Sequence, residues 1–195
     1  EKRIETQYIT RALESRAELL TQRSSALKNK LHPVIHYSNL CLQLYSLYLK
    51  VGFVRNENEN NNVKTFFHSK MLEFDNTEMS FEARMHLYNA QVWHYHIIQD
   101  FVMCYRYAKH WVDLFHEYEE MQVHRKEMYL KGQNNLLNAL FNLRSYYRFT
   151  EELKTLENTA LSSRDSENVQ LLYYHYLYTA KINKHYLEGS FDEGL

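Results

Sequence analysis

A turn that recurs along the chain constrains the fold more than any other feature of this sequence. Each copy of the turn ends in an aromatic residue and lies between two helix-like segments. The aromatic residues are 48, 45 and 45 positions apart. A fixed period of this length is typical of stacked helical hairpins. The four turns are Gly52-Phe53, Asp100-Phe101, Ser145-Tyr146 and Gly189-Ser190-Phe191.

The composition favours helices that are joined by short polar connections. The 195 residues include only 4 Gly and 1 Pro, the residues on which tight turns depend. A hydrophobic content of 45% excludes a disordered chain. The net charge of −1 provides no basic field for nucleic acid or anionic lipid, and no apolar run approaches the ~20 residues of a membrane span. We therefore expect neither nucleic acid nor a membrane as a partner.

The hydrophobic pattern predicts about seven helices within one helical-repeat domain, residues 1–195. Pro33 is expected to open the second helix, where a missing N–H costs nothing. The polar run 55–62 is expected to be a loop. Ser80, Asp100 and Ser166 are the predicted helix caps. The expected segments are a leading helix, 1–32, three hairpins, 33–74, 80–118 and 121–161, and the beginning of another hairpin, 166–195.

The two cysteines and the chain ends give weaker indications. Cys41 and Cys104 lie on apolar segments, and neither belongs to a Cys-x-x-Cys motif. We expect both to be buried thiols in a reducing compartment, which predicts a cytoplasmic protein. The chain begins at Glu1 instead of Met, and its last residues resemble the first turn of another helix. We therefore expect a fragment of a longer chain.

The hairpins resemble tetratricopeptide repeats over about residues 33–195. The turn Asp100-Phe101, followed by Cys104 and Ala108, matches the turn and the closely packed second helix of that family. The period of about 45 exceeds the family's ~34. The resemblance implies an all-α fold in which antiparallel hairpins stack as a right-handed superhelix, with the first helix of each hairpin on the concave face. Larger residues replace the family's small residue in the first helices, namely Leu44, Val92, Leu137 and Ile182.

Asparagine side chains form the sharpest candidate site. Asn134, Asn138 and Asn142 recur every four residues, so they form one stripe on a helix face. The 45-residue period relates Asn89 to Asn134 and Asn138 to Asn183. An amide both donates and accepts hydrogen bonds, so it can hold a peptide backbone. The resemblance implies that these positions face the groove, and the alternative is an ordinary solvated helix face.

Aromatic residues are the second candidate feature. The chain holds 17 Tyr, 10 Phe and 2 Trp, many of them in clusters. Tyr and Trp combine a large apolar body with a polar tip, which suits recognition surfaces. We predict Trp93 and Tyr45 in the groove and Trp111 in the core. Packing between hairpins is the alternative explanation for any single tyrosine.

The sequence carries no recognisable metal or catalytic motif. Pro33 separates His32 from His36, and Glu120 with His124 lacks a second ligand pair. Zinc-protease, nucleophile-elbow and phosphate-loop motifs are missing. We therefore predict a protein that is not an enzyme and that has no metal or cofactor.

Together these features predict a module that binds a protein or an extended peptide in a concave groove, and the resemblance implies that it is the sensor part of a bacterial regulatory protein. The asparagines would hold the ligand backbone, and the aromatic pockets would select its side chains. The first alternative is a scaffold or dimerisation segment, in which the helix at residues 2–30 pairs two copies as a homodimer. The second alternative is a helical-bundle enzyme with a buried polar site.

Overall fold

The described part of the chain forms eight helices and no strand, which confirms the predicted all-α class. The helices are α1 (Lys2–Val51), α2 (Glu57–Met71), α3 (Phe81–Ile97), α4 (Phe101–Glu117), α5 (Glu119–His124), α6 (Lys126–Asn142), α7 (Tyr146–Glu157) and α8 (Glu167–Glu188). The structure is a computed structural model. It describes residues 2–71, 79–159, 161–162, 165–190 and 192, with side chains from residue 16 onward except 17, 26, 29 and 30.

The recurring turn of the sequence is a recurring helix terminus. Gln99, Arg144 and Gly189 each follow a helix and have φ values of 59°, 52° and 76°, in the left-handed region. These three residues are 45 positions apart, and Gly52 after α1 is also left-handed, with φ of 70°. Each left-handed residue ends its helix, so the chain can reverse direction within a few residues.

The three later turns also share one hydrogen-bond pattern. In each, the residue after the left-handed position donates its N–H to a carbonyl five residues earlier, and the left-handed residue donates to a carbonyl three residues earlier. This pattern is the Schellman motif. The bonds that span five residues run from the N–H of Asp100 to the carbonyl of Tyr95 at 2.9 Å, from Ser145 to Leu140 at 3.0 Å and from Ser190 to His185 at 3.0 Å.

The predicted side-chain caps are confirmed at three helix starts. The Ser80 hydroxyl accepts a hydrogen bond from the Ala83 N–H at 3.3 Å, and Ser166 accepts one from Val169 at 3.4 Å. The Asp100 carboxylate accepts one from the Met103 N–H at 3.1 Å. Each cap satisfies an N–H that the first helical turn leaves without a partner.

The predicted helix start at Pro33 is wrong. Helix α1 continues through Pro33 to Val51. Beyond the proline, Tyr37, Leu40 and Leu44 are buried against the core, with exposed fractions of 0%, 1% and 0%. This packing holds the helix together across the lost hydrogen bond, because tertiary contacts outweigh local propensity. Residue 33 is therefore not a boundary between helices.

The polar run 55–62 is not a loop but contains the start of α2. The Asn56 side chain accepts a hydrogen bond from the Glu59 N–H at 2.9 Å, and the Glu59 carboxylate accepts one from the Arg55 N–H at 2.9 Å. This reciprocal arrangement resembles a capping box, which can start a helix in a polar sequence. The predicted break at residues 75–77 lies outside the described residues.

The helix predicted near residues 121–143 is divided in two. Helix α5 ends at His124, and α6 begins at Lys126. Arg125 between them has φ of −126° and ψ of 38°, which is not helical geometry. The short α5 thus connects α4 to α6 without continuing the axis of α6.

The helices pack in a chain of neighbours. Helix α3 contacts α1 and α4, α4 contacts α6, and α6 contacts α7 and α8. Trp111 of α4 is 0% exposed in the larger core, which confirms its predicted burial.

Cys41 and Cys104 are buried free thiols, as predicted, and burial raises the pKa of both to about 12. Both thiols are therefore protonated and unreactive at neutral pH.

His94 of α3 is buried among aromatic rings. Its ring stacks on Phe67 of α2 with centroids 4.0 Å apart, and 1% of the residue is exposed. Burial, together with the positive charges of His68 and Lys64, lowers the pKa of His94 to about 4. His94 is therefore neutral at pH 7, and a proton there would be destabilising.

Acidification should weaken the fold through His94. Between pH 6.5 and about 4 the unfolded chain binds a proton at this residue and the folded chain does not, so stability falls as pH falls. We expect a loss of about 2–3 kcal/mol over this window, since each unit of pKa shift corresponds to about 1.4 kcal/mol. Urea unfolding at pH 7.0 and 4.5 measures it. The His94→Phe variant should lose less stability than wild type across the window, whereas the exposed control His175→Phe should match wild type.

The left-handed turns predict a stabilising substitution at Arg144. Glycine adopts positive φ without the ~1–2 kcal/mol cost paid by other residues. Because glycine also loses more entropy on folding, Arg144→Gly should raise the free energy of unfolding by a net ~0.5–1 kcal/mol. Thermal and urea unfolding measure the change. Arg144→Ala removes the same side chain but keeps a Cβ, so it should give no gain. An equal gain in both variants would contradict the backbone explanation.

Candidate functional site

A cavity of about 410 Å³ lies where α3, α4 and α6 meet, and Tyr48 of α1 and Tyr176 of α8 reach its edges. Helix α4 contributes Cys104 and Trp111 to its lining. Five asparagines and four aromatic or imidazole rings supply most of the remaining wall. They are Asn89, Asn134, Asn135, Asn138 and Asn142, and Tyr48, Trp93, His96 and Phe101.

The amides come from two helices, α3 and α6, which end 45 residues apart in the chain. Asn89 comes from α3, and the other four come from α6, where their spacing along one helix groups them on the cavity side. Asn142 donates from Nδ2 to the backbone carbonyl of Asn138 at 2.8 Å.

The other amides have unused hydrogen-bonding capacity. Among the described residues, no hydrogen bond from within the protein engages the side chains of Asn89, Asn134, Asn135 or Asn138. All four side chains are half-buried. Each amide offers two donor hydrogens and an acceptor oxygen to whatever enters the cavity.

Aromatic rings supply a second part of the cavity lining, the aromatic wall. The Trp93 ring lies 5.5 Å from Tyr48 and 6.1 Å from His96, measured between centroids, and His96 lies 6.2 Å from Phe101. The rings are inclined to one another by 49° to 86°, so their arrangements are tilted or edge to face and not stacked. Burial lowers the pKa of His96, which keeps this wall uncharged at neutral pH.

The cavity carries little net charge. Its lining includes one cation, Lys131, whose ammonium lies 2.6 Å from the Glu127 carboxylate. No Asp or Glu belongs to the lining within the described chain. The cavity therefore offers neutral donors, neutral acceptors and aromatic surface, a combination that suits amide groups better than free ions.

Five of the site residues predicted from the sequence line this one cavity, namely Asn89, Trp93, Asn134, Asn138 and Asn142. Tyr45 and Asn183 were also predicted as site residues but are not part of the lining.

The ring of Tyr45 on α1 contacts the ring of Trp93, with centroids 5.3 Å apart, and Tyr45 is 45% exposed. Helix α8 reaches the cavity only through Tyr176, two turns before Asn183. Sequence reasoning missed Asn135, which lies off the i, i+4 stripe. It also missed the rings of Tyr48, His96 and Phe101. A search that included polar residues next to the stripe in sequence would have found Asn135, which directly follows Asn134.

The described residues contain no group of three or more His, Cys, Asp or Glu side chains placed to hold a metal ion. Over the same part of the chain, every helix is too short or too polar to cross a lipid bilayer. No protein-family model, curated protein or solved structure matches the chain. The fold and the cavity define an all-α protein with an amide-lined, aromatic-walled cavity between its helices.

The floor of the cavity depends on a close approach between α4 and α6. A Cβ built on Gly132 of α6 would lie 3.3 Å from Cγ, Cδ1 and Nε1 of Trp111. This distance is tighter than ordinary van der Waals contact, and Trp111 is fully buried with little room to move. Gly132 therefore lets the indole lie directly against the helix backbone.

Gly132→Ala should destabilise the protein although alanine is the better helix former. We expect a net loss of about 1 kcal/mol, because overpacking of ~1–3 kcal/mol exceeds the ~1 kcal/mol gain in helix propensity. Urea unfolding followed by circular dichroism measures the loss. In a Trp111→Phe background the smaller ring leaves space, so the same substitution should be neutral or stabilising. A loss of equal size in both backgrounds would show that the indole contact is not responsible.

Proposed function

We propose that the protein is a binding module for an extended peptide or a protein tail, which it holds in the cavity between α3, α4 and α6. In this proposal α3 with α4 and α6 with α7 are successive tetratricopeptide-like hairpins of a right-handed superhelix. The shared turn geometry at 45-residue steps supports this arrangement. So does the placement of α3 and α6, the first helix of each hairpin, on the same cavity.

One observation supports the ligand class most strongly: a row of unengaged amides along α6. Asn134 and Asn138 are separated by one helical step of four residues, a rise of about 6 Å. An extended peptide rises about 3.3 Å per residue. Its backbone groups that point to the same side recur at every second residue, about every 6.6 Å. The two spacings are close enough for successive amides to pair with every second residue of a bound peptide.

The aromatic wall would then contact the ligand's side chains and select among them. Trp93, His96 and Phe101 present uncharged ring surface beside the amides. An apolar or aromatic side chain fits this wall, because no carboxylate lines the described cavity to pair with a cation. A role as the sensor part of a bacterial regulatory protein in the cytoplasm belongs to the same proposal.

Alanine substitution within the asparagine set tests the proposal. A random peptide library displayed on phage is selected on the protein, and the best peptide is measured by fluorescence anisotropy. Asn138→Ala should weaken its binding by about 1–3 kcal/mol, because a ligand amide loses its partner in a partly desolvated site. Asn183→Ala is the matched control, since Asn183 is half-buried but does not line the cavity. It should leave the affinity unchanged.

Two results would contradict the proposal. The first is a selected peptide whose affinity Asn138→Ala and Asn134→Ala leave intact while circular dichroism shows native helix content. The second is a loss of affinity in Asn183→Ala alone, which would place the ligand away from this cavity.

A scaffold or dimerisation role is the second candidate. The observation in its favour is a stripe of exposed leucines on α1, where Leu20, Leu27 and Leu31 are 57%, 60% and 55% exposed. In this candidate the part of α1 at residues 2–30 pairs with a second copy of the chain. Sedimentation that shows a concentration-dependent mass, with no effect of any peptide, would favour it over the peptide-binding module.

A further inference from the structure

A second, more apolar groove lies between α1 and α2, on a surface that shares no described lining residue with the asparagine cavity. Its volume is about 700 Å³. Leu42 and Leu47 of α1 face Val63 and Phe66 of α2 across it. Two parallel or antiparallel helix surfaces with apolar side chains between them make a groove of the shape that receives a further helix.

The exposed side of α1 is too apolar for an ordinary solvated helix face. Leu42 and Leu49 are 64% and 66% exposed, while Leu40 and Leu44 on the opposite side are buried in the core. Apolar side chains are also exposed closer to the start of α1, where Leu27, Leu31 and Ile35 line a second shallow groove. Exposed apolar side chains in this number are typical of an interaction site.

The charges beside this surface are positive. Lys50 and Lys70 line the α1–α2 groove, and Arg23 and Lys28 line the second shallow groove. No Asp or Glu lines either groove within the described residues. Lys50 and Lys70 also form no ion pair with any described carboxylate. The lining of the groove therefore combines apolar and basic side chains with the neutral polar Gln43, Ser46 and Asn62.

This charge pattern disfavours a second copy of the chain as the occupant. Residues 16–50 carry five Arg or Lys residues and one acidic residue, Glu18. Two copies that packed through this groove would place Lys50 and Lys70 beside the lysines of the other copy. Like charges at such positions are destabilising. A partner with acidic residues beside its apolar face pairs with the same surface favourably.

We propose that the α1–α2 groove docks an amphipathic helix of a partner protein, whose apolar face is flanked by Asp and Glu. Apolar side chains of that helix, spaced i, i+3 or i+4, and i+7, fill the groove beside Leu42 and Phe66. Its acidic flanks meet Lys50 and Lys70. The site is independent of the asparagine cavity, so one can fail without the other.

Two designed helical peptides test the charge and the apolar contact separately. Both are ~20 residues long with the same leucine face. One carries Glu at the flanking positions, and its twin carries Lys. Fluorescence anisotropy with the whole chain should show the Glu peptide binding at least about tenfold more tightly than the Lys twin. The double variant Lys50→Glu with Lys70→Glu should reverse this preference.

Leu42→Asn should weaken the Glu peptide at least about tenfold, because it removes an apolar contact in the groove. Leu171→Asn is the matched control, since Leu171 is 70% exposed on α8, away from the groove. This control should bind like wild type. Circular dichroism on each variant confirms that the helices are intact.

Several outcomes would overturn the proposal. Equal affinity for the two peptides, binding of neither, or binding that Leu42→Asn leaves unchanged would exclude an acidic helix in this groove. Self-association in sedimentation that Leu42→Asn abolishes would assign the surface to a second copy instead. Co-sedimentation with phosphatidylserine vesicles, without any preference for the Glu peptide, would assign it to a membrane surface.

Discussion

The left-handed residue that follows α1, α3, α6 and α8 is the constraint on which the rest of the structure depends. At Gln99 and Arg144 the chain adopts positive φ, ends a helix by a Schellman motif and begins the next helix two residues later. At the first of these turns Asp100 has two roles: its N–H completes the turn and its carboxylate caps α4. This turn recurs after 45 residues, and α3 and α6, the helices that precede Gln99 and Arg144, both line the cavity.

The cavity itself depends on how closely α4 and α6 approach. Trp111 lies against Gly132, and this contact brings the asparagine face of α6 over α4. The rings of Trp93 and His96 supply another part of the lining. The resulting surface is polar without being charged, because the one lysine is paired and the imidazole is held neutral by burial. In the proposed peptide-binding role, such a surface would recognise amide groups through geometry, and salt should affect its binding little.

Much of the fold follows from local sequence signals. The caps at Ser80, Asp100 and Ser166 were predictable because a side-chain oxygen three residues before an N–H acts within one turn of helix. The same local logic failed at Pro33, where burial of Tyr37 and Leu40 holds α1 together beyond the proline. It failed again at Asn56, where the polar composition concealed the pairing with Glu59.

The sequence by itself determined the helical class, the individual turns and the asparagine stripe on α6, because each is set by residues within a few positions of one another. Only the tertiary structure decided which side chains share the cavity. The 45-residue shift links Asn138 to Asn183 in sequence, yet α8 reaches the cavity through Tyr176 alone. Helix packing angles and close contacts such as that of Trp111 with Gly132 decide these relations. They arise from residues far apart in the chain, and no local pattern encodes them.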